Sequence, residues 1–249
     1  MGEGMIRVRV FRAADRLARA LARDIARRLS ATPRLVLGLP TGRTPIPFYQ
    51  DLVRLYCAGL VDFSRAATFN LDEFVGLDAD DPHSYRAFMR RHLFDHVNVP
   101  RRGIHFLDGA ARDAARESAR YERAIRRAGG IDVQILGLGV NGHIGFNEPG
   151  RALVARTHRT RLTPATRRAN AALFGHRTSA VPHDAFSMGM ATILQARRIV
   201  LIATGASKAR SVERMIRGPV TPRLPASFLQ LHPNAEVWVD RAAARHMNS

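Results

Sequence analysis

Apolar, β-rich runs alternate with amphipathic helical stretches along the whole chain, and that alternation limits the fold more than any single motif. The runs fall at residues 6–10, 34–39, 67–70, 131–136, 198–203 and 236–239. Some, such as Leu35-Val36-Leu37, are apolar at consecutive positions, so both faces need cover, as in a parallel sheet flanked by helices. Leu17, Leu21, Ile25 and Leu29 recur every four residues and form one apolar helical stripe. Further helices are predicted over 45–56, 84–94, 113–127 and 208–217. The pattern predicts an α/β sandwich with a mostly parallel sheet, whose ligand would sit at the carboxyl ends of the strands. No linker-like stretch interrupts the sequence, so residues 1–249 are expected to form a single domain.

With 46% hydrophobic residues, the chain can bury a core without cross-links. No apolar run approaches the roughly 18 residues that cross a bilayer, and the first residues carry charges where a secretory leader would be apolar. A lone cysteine, Cys57, allows no internal disulfide and fits a reducing cytoplasm, the expected location. Net charge is +18, which would suit nucleic acid, but the arginines are scattered and no binding motif accompanies them. Neither nucleic acid nor membrane is therefore an expected partner; a diffuse positive field suits a small anion better. Of 39 basic residues only one, Lys208, is a lysine.

Four loops that follow predicted strands carry the chemistry. In Leu136–Gly150 a glycine-rich bend (Gly137, Gly139, Gly142) presents Asn141, His143 and Glu148. Glycines let backbone approach a ligand closely, and an imidazole beside an amide and a carboxylate is a proton-transfer set. Pro40-Thr41-Gly42-Arg43-Thr44-Pro45 leads from a strand into a helix, where free N–H groups and hydroxyls suit a phosphate; Thr44 could equally be an ordinary helix cap. Thr204–Lys208 repeats that plan and adds a compact ammonium. The Asp72-Glu73 pair stands among Phe69, Phe74 and Val75, surroundings that raise a carboxylate's proton affinity, although Asp72 could instead cap a turn. His92 and His96 have helical i, i+4 spacing without the glutamate of a metalloprotease motif, so no metal site is expected.

Taken together, these segments resemble the glucosamine-6-phosphate deaminases, also called glucosamine-6-phosphate isomerases. The likeness runs from about Met5 to Asp240. It is carried by L-G-L-P-T-G-x-T-P (37–45), T-F-N-L-D-E-F-V-G-L (68–77), H-S-Y-R-A-F-M (83–89), F-D-H-V-N-V-P (94–100) and G-L-G-V-N-G-H-I-G-F-N-E-P-G (137–150). Further matches are S-M-G-M-A-T-I-L (187–194), the Gly205/Lys208 loop and L-Q-L-H-P (229–233). The resemblance implies a Rossmann-like three-layer sandwich and conversion of glucosamine 6-phosphate and water to fructose 6-phosphate and ammonia, with no metal or organic cofactor. It implies that Asp72 moves a proton from C2 towards C1, that His143 opens the sugar ring, and that Asn141 and Glu148 orient that histidine. Thr41, Gly42, Thr44 and Lys208 would hold the phosphate. The expected partner is a phosphosugar, bound by a monomer or homo-oligomer. A galactosamine 6-phosphate enzyme, a 6-phosphogluconolactonase-like hydrolase and a non-catalytic sugar-phosphate sensor are the alternatives.

Departures from the family pattern are informative. Arg43 replaces a second glycine in P-T-G-G-T-P, so it is either strained or a further phosphate ligand. The segment 169–174 lacks the arginine that a mobile lid supplies in relatives, where this chain has Ala172; Arg43 is expected to compensate. Arg151, His158, Thr160 and Arg161 match the family's activator site poorly, so no allosteric activation is expected.

Overall fold

The computed structural model describes residues 6–247; Met5 and the other terminal residues of the expected domain lie outside them. The elements are β1 (Arg7–Phe11), α1 (Ala14–Ala31), β2 (Val36–Leu39), α2 (Ile46–Cys57), β3 (Ala67–Asn70), β4 (Asp72–Phe74), α3 (Tyr85–His92), β5 (Ile104–His105), α4 (Ala114–Arg127), β6 (Val133–Gly137), β7 (His158–Arg161), α5 (Pro164–Asn170), β8 (Asp184–Ser187), α6 (Met190–Leu194), β9 (Arg198–Ala203), α7 (Ala209–Arg217) and β10 (Ala235–Asp240), joined by loops and short 3-10 turns. Seven strands form a sheet in the order β1-β10-β9-β6-β2-β3-β5, and every pairing in it is parallel. A separate antiparallel sheet, β4-β8-β7, stands beside it.

Strand alternation explains the layers. Ile199, Leu201 and Ala203 of β9 enter one core with Tyr121 and Ile125 of α4, Ile193 of α6 and Val212 of α7. Val200 and Ile202 enter the opposite core with Leu21 and Ile25 of α1, Phe48 of α2 and Phe88 of α3. Successive side chains of a strand point to opposite faces, so a continuously apolar β9 needs helices on both. The predicted stripe of Leu17, Leu21, Ile25 and Leu29 is the buried face of α1.

The six predicted strands are those of the large sheet apart from β5, with ends shifted by a residue or two. The small sheet was not anticipated, because β4, β7 and β8 (DEF, HRTR and DAFS) are short and carry charge. Two local expectations change with it. Asp72 caps no turn; only Leu71 separates β3 from β4, and Asp72 opens β4. Thr44 is not the helix cap either, since α2 begins after Pro45 and has no side-chain cap.

Chain direction across the sheet positions the site. From β2 the chain steps outward to β3 and β5; from β6 it steps the other way to β9 and β10. The crevice at such a reversal, at the carboxyl strand ends, is where open parallel sheets bind ligands. The loops after the four adjacent strands β9, β6, β2 and β3 are the four singled out by sequence. Backbone bonds fix the seam between the halves: Val36 N–H donates to the Asp132 carboxylate at 2.8 Å, and Asp132 N–H to Val36 C=O at 2.9 Å.

Candidate active site

The loop after β2 turns on Gly42, whose φ of +97° favours glycine. Arg43 has no positive φ, so the strain considered for it is absent and its exposed side chain is free to serve as a cation. Lys208, half-buried at the end of the loop after β9, is close enough to Arg43 for the two charges to interact. Burial first, and Arg43 second, lower the Lys208 pKa. Among the described residues no carboxylate lies within 4.0 Å of either cation. The Lys208 loop has its own brace: Gly205, at φ +87°, donates its N–H to the buried Asp240 carboxylate at 3.1 Å.

After β3 the two adjacent acids part company. Glu73 is consumed by structure, accepting from the N–H groups of Phe74 at 2.8 Å, Tyr85 at 2.9 Å and Arg86 at 2.9 Å, and so ties β4 to the start of α3. Asp72, 6% exposed, leaves Oδ1 buried without a hydrogen bond. Burial, with the neighbouring Glu73 charge, raises the Asp72 pKa to about 8. Burial likewise outweighs three backbone donors at Glu73 and carries it to about 7. Three buried tyrosines, Tyr49, Tyr85 and Tyr121, feel the Asp72 charge. Tyr49 donates to Pro40 C=O at 2.5 Å, Tyr121 to Asn70 C=O at 2.5 Å, and Tyr85 lies within reach of Thr41. The aspartate thus lies buried among braced tyrosines, beside the Pro40–Pro45 turn.

In the loop after β6, Asn141 Nδ2 donates to Glu148 Oε2 at 2.8 Å, and Asn141 Oδ1 accepts from His143 N–H at 3.2 Å. His143 Nδ1 stands 3.6 Å from Glu148 Oε1 and has no hydrogen-bond partner. Burial lowers the His143 pKa; Glu148 opposes this, and Lys208 adds to it. Gly139 is required by proximity, because a Cβ there would lie 2.4 Å from His143 Nδ1. Gly142 needs its φ of +89°. Gly137 meets neither condition: its φ is not positive and a Cβ would face open space.

The loops meet through the small sheet. Asp72 is paired in register with Ser187, whose Oγ accepts from Phe146 N–H at 3.1 Å, and Asn147 Nδ2 donates to Met188 C=O at 2.8 Å. Asp72, His143 and Lys208 therefore gather at one end of the sheet, and Arg43, Thr41, Gly42 and Thr44 border them. Sequence reading missed the tyrosines, Ser187, Asp240 and Thr166, whose hydroxyl donates to Glu148 Oε1 from α5. Tyr85 lay within a quoted motif without a role; for Thr166 only the Thr163-Pro164 helix start gave a signal. His92 and His96 serve elsewhere: His92 packs on Phe88 at 4.4 Å, and His96 Nε2 lies 2.9 Å from Arg91 C=O.

Comparison with known proteins agrees with this geometry. Residues 11–238 match the sequence pattern of the glucosamine-6-phosphate isomerases/6-phosphogluconolactonases. A glucosamine-6-phosphate deaminase of Rhodopirellula baltica is 47% identical over 98% of this chain and 96% of its own. One from Clostridioides difficile is 44% identical over 98% and 97%. Among solved structures, a monomeric glucosamine-6-phosphate deaminase superposes with a TM-score of 0.93 at 40% identity, covering 96% of this chain and 99% of that one. A 6-phosphogluconolactonase from Trypanosoma cruzi shares the fold, with a TM-score of 0.80 at 19% identity over 100% of this chain and 99% of its own. The chain belongs to the glucosamine-6-phosphate isomerase/6-phosphogluconolactonase family.

Proposed function

We propose that this protein is a glucosamine-6-phosphate deaminase, converting glucosamine 6-phosphate and water to fructose 6-phosphate and ammonia. Identity to the deaminases over nearly the full length of both chains supports the activity. The observation that carries the chemistry is a buried carboxylate with a bare oxygen, Asp72, at the same sheet end as a half-buried imidazole whose buried Nδ1 is bare, His143. Beside them stand two cations without carboxylate partners among the described residues.

In this reading Lys208 and Arg43 take the phosphate, with Thr41, Thr44 and the Gly42 N–H as further donors. His143 accepts the proton of the anomeric hydroxyl and returns one to the ring oxygen, which opens the pyranose. Glu148, held by Asn141, steadies the positive charge that the ring carries in between. Asp72 then takes the proton from C2, giving the enolamine, and delivers a proton to C1. The resulting imine at C2 adds water and releases ammonia, leaving the ketose. A high proton affinity suits Asp72 to a carbon acid, because a base that holds its proton weakly removes one from carbon poorly. The substrate is a soluble phosphosugar; no helix among the described residues is long and apolar enough to cross a membrane. We extend to this chain the monomeric state named for its solved relative.

Ammonia release measured side by side on glucosamine 6-phosphate, galactosamine 6-phosphate and 6-phosphogluconolactone tests the reading, with lactone opening followed in the third. Turnover of the first at least tenfold above the others is expected. Lactone hydrolysis alone, or thermal stabilisation by all three without turnover, would replace the proposal by a lactonase or a sensor.

A further inference from the structure

Thr166 lies 3% exposed in the first turn of α5, eighteen positions along the chain from Glu148. Its backbone N–H is taken by the hydroxyl of Thr163, the residue that caps α5, at 3.2 Å. Its own hydroxyl donates to Glu148 Oε1. Asn141 holds the other oxygen of the same carboxylate at 2.8 Å. Glu148 is thus anchored from two sides, once by its own loop and once by a helix that hangs from the small sheet through β7. So anchored, its Oε1 stops 3.6 Å from His143 Nδ1, and that nitrogen is buried with no partner. A partnerless ring nitrogen beside a carboxylate is an unusual arrangement, since such pairs normally close to about 2.7–2.9 Å.

We propose that Thr166 is a positioning residue for His143: by occupying Glu148 Oε1 it holds the carboxylate just short of the imidazole, so that the seating of α5 decides whether Glu148 engages the ring. The inference rests on the ring-opening role given to His143 above. Asn170, one turn further along α5, ties the same helix to the Asp72 side of the site, accepting from the Tyr85 hydroxyl at 3.0 Å and donating to Thr166 C=O at 2.9 Å. The two halves of the reaction therefore share one helix. Removal of the Thr166 hydroxyl frees Oε1 to accept from Nδ1. The charged groups that act on His143 are Glu148, from its own loop, and Lys208, from the loop after β9.

Titration of His143 by 15N NMR tests this, its signal being the one lost in His143→Gln. Thr166→Val keeps the shape and removes the hydroxyl; Thr166→Ala removes both the hydroxyl and the branch. Either should let Glu148 bond the imidazolium and raise the His143 midpoint by about one pH unit, a tenfold change in proton affinity. Thr166→Ser should titrate like the wild type. A packing role alone would lower Tm and leave the midpoint in place, and an unmoved midpoint in the folded Val and Ala variants overturns the proposal. If neither variant folds, the ligand-free wild type decides: a strongly downfield Nδ1 proton on His143 would show the bond already made and overturn it, and its absence upholds it. The readout needs no turnover, so the two failures are told apart: a protein that releases no ammonia sinks the functional reading, and ammonia release with an unmoved midpoint sinks this proposal alone.

Discussion

The two ends of the large sheet bury charge in opposite ways. At the amino end, Arg198, 5% exposed, meets Asp24 from α1 and Glu236 from β10, with N–O distances of 2.8–2.9 Å to Glu236. Trp238 Nε1 donates to the remaining Glu236 oxygen at 3.0 Å. Burial works to raise the pKa of both acids and is outweighed by their bonds, to Arg198 and Arg28 for Asp24 and to Trp238 and Arg198 for Glu236, so both are lowered. At the carboxyl end Asp72 is as deeply set and His143 half-buried, yet each keeps a buried polar atom bare, and burial shifts both towards the neutral form. Paired charges fix a structure; unpaired ones keep capacity for a substrate.

The contrast is sharpest under substitution. Asp72→Asn should abolish deamination, a loss of at least about a thousandfold if it removes a general base, while the affinity for an unreactive phosphosugar stays within about threefold. It should also stabilise the fold at alkaline pH. The folded carboxyl at about 8 holds its proton more tightly than an unfolded one near 3.8. The native state therefore carries the extra proton between those values, and stability falls as pH rises through that window. The Tm difference between Asp72→Asn and wild type should be largest above pH 8 and vanish below pH 4; a difference independent of pH would count against a buried, proton-hungry Asp72.

Arg198→Met should do the reverse. Two buried carboxylates lose their partner, which costs about 3–5 kcal/mol, so Tm drops while KM of the remaining folded enzyme is unchanged. A variant as stable as wild type would mean that the amino-end cluster contributes nothing, and the comparison would fail. Arg43→Gly is the smallest effect: one charge-assisted contact of roughly 1.5–3 kcal/mol implies a KM for the phosphosugar raised by about tenfold or more. An unchanged KM would discard Arg43 as the substitute for the lid arginine missing at Ala172.

The large sheet was legible because its central strands β2 and β9 are almost continuously apolar, a pattern only doubly covered strands sustain. The small sheet was not, since its strands owe their pairing to tertiary context and carry charges that read as loop. Lys208 stood out by rarity among 39 basic residues, and the glycine bend by density. Adjacent Asp72 and Glu73 could not be told apart by type or spacing; the start of α3, twelve positions on from Glu73, separates them by engaging only Glu73. Arg43 could be read either as strained or as a ligand until its backbone angle resolved the strain. Thr166 was illegible because its meaning lies in a contact across eighteen positions of chain, β7 included.

The reversal of strand order between β2 and β6 has a kinetic consequence. Asp72 and Thr41 come from the first half of the chain, His143 and Lys208 from the second, and their meeting depends on a seam whose partners, Val36 and Asp132, are 96 residues apart. Distant pairings form late, because closing a long loop is entropically costly before any contact rewards it. On refolding from denaturant, helical signal should therefore return ahead of turnover, and the appearance of ammonia becomes a clock for the moment the two halves zip together.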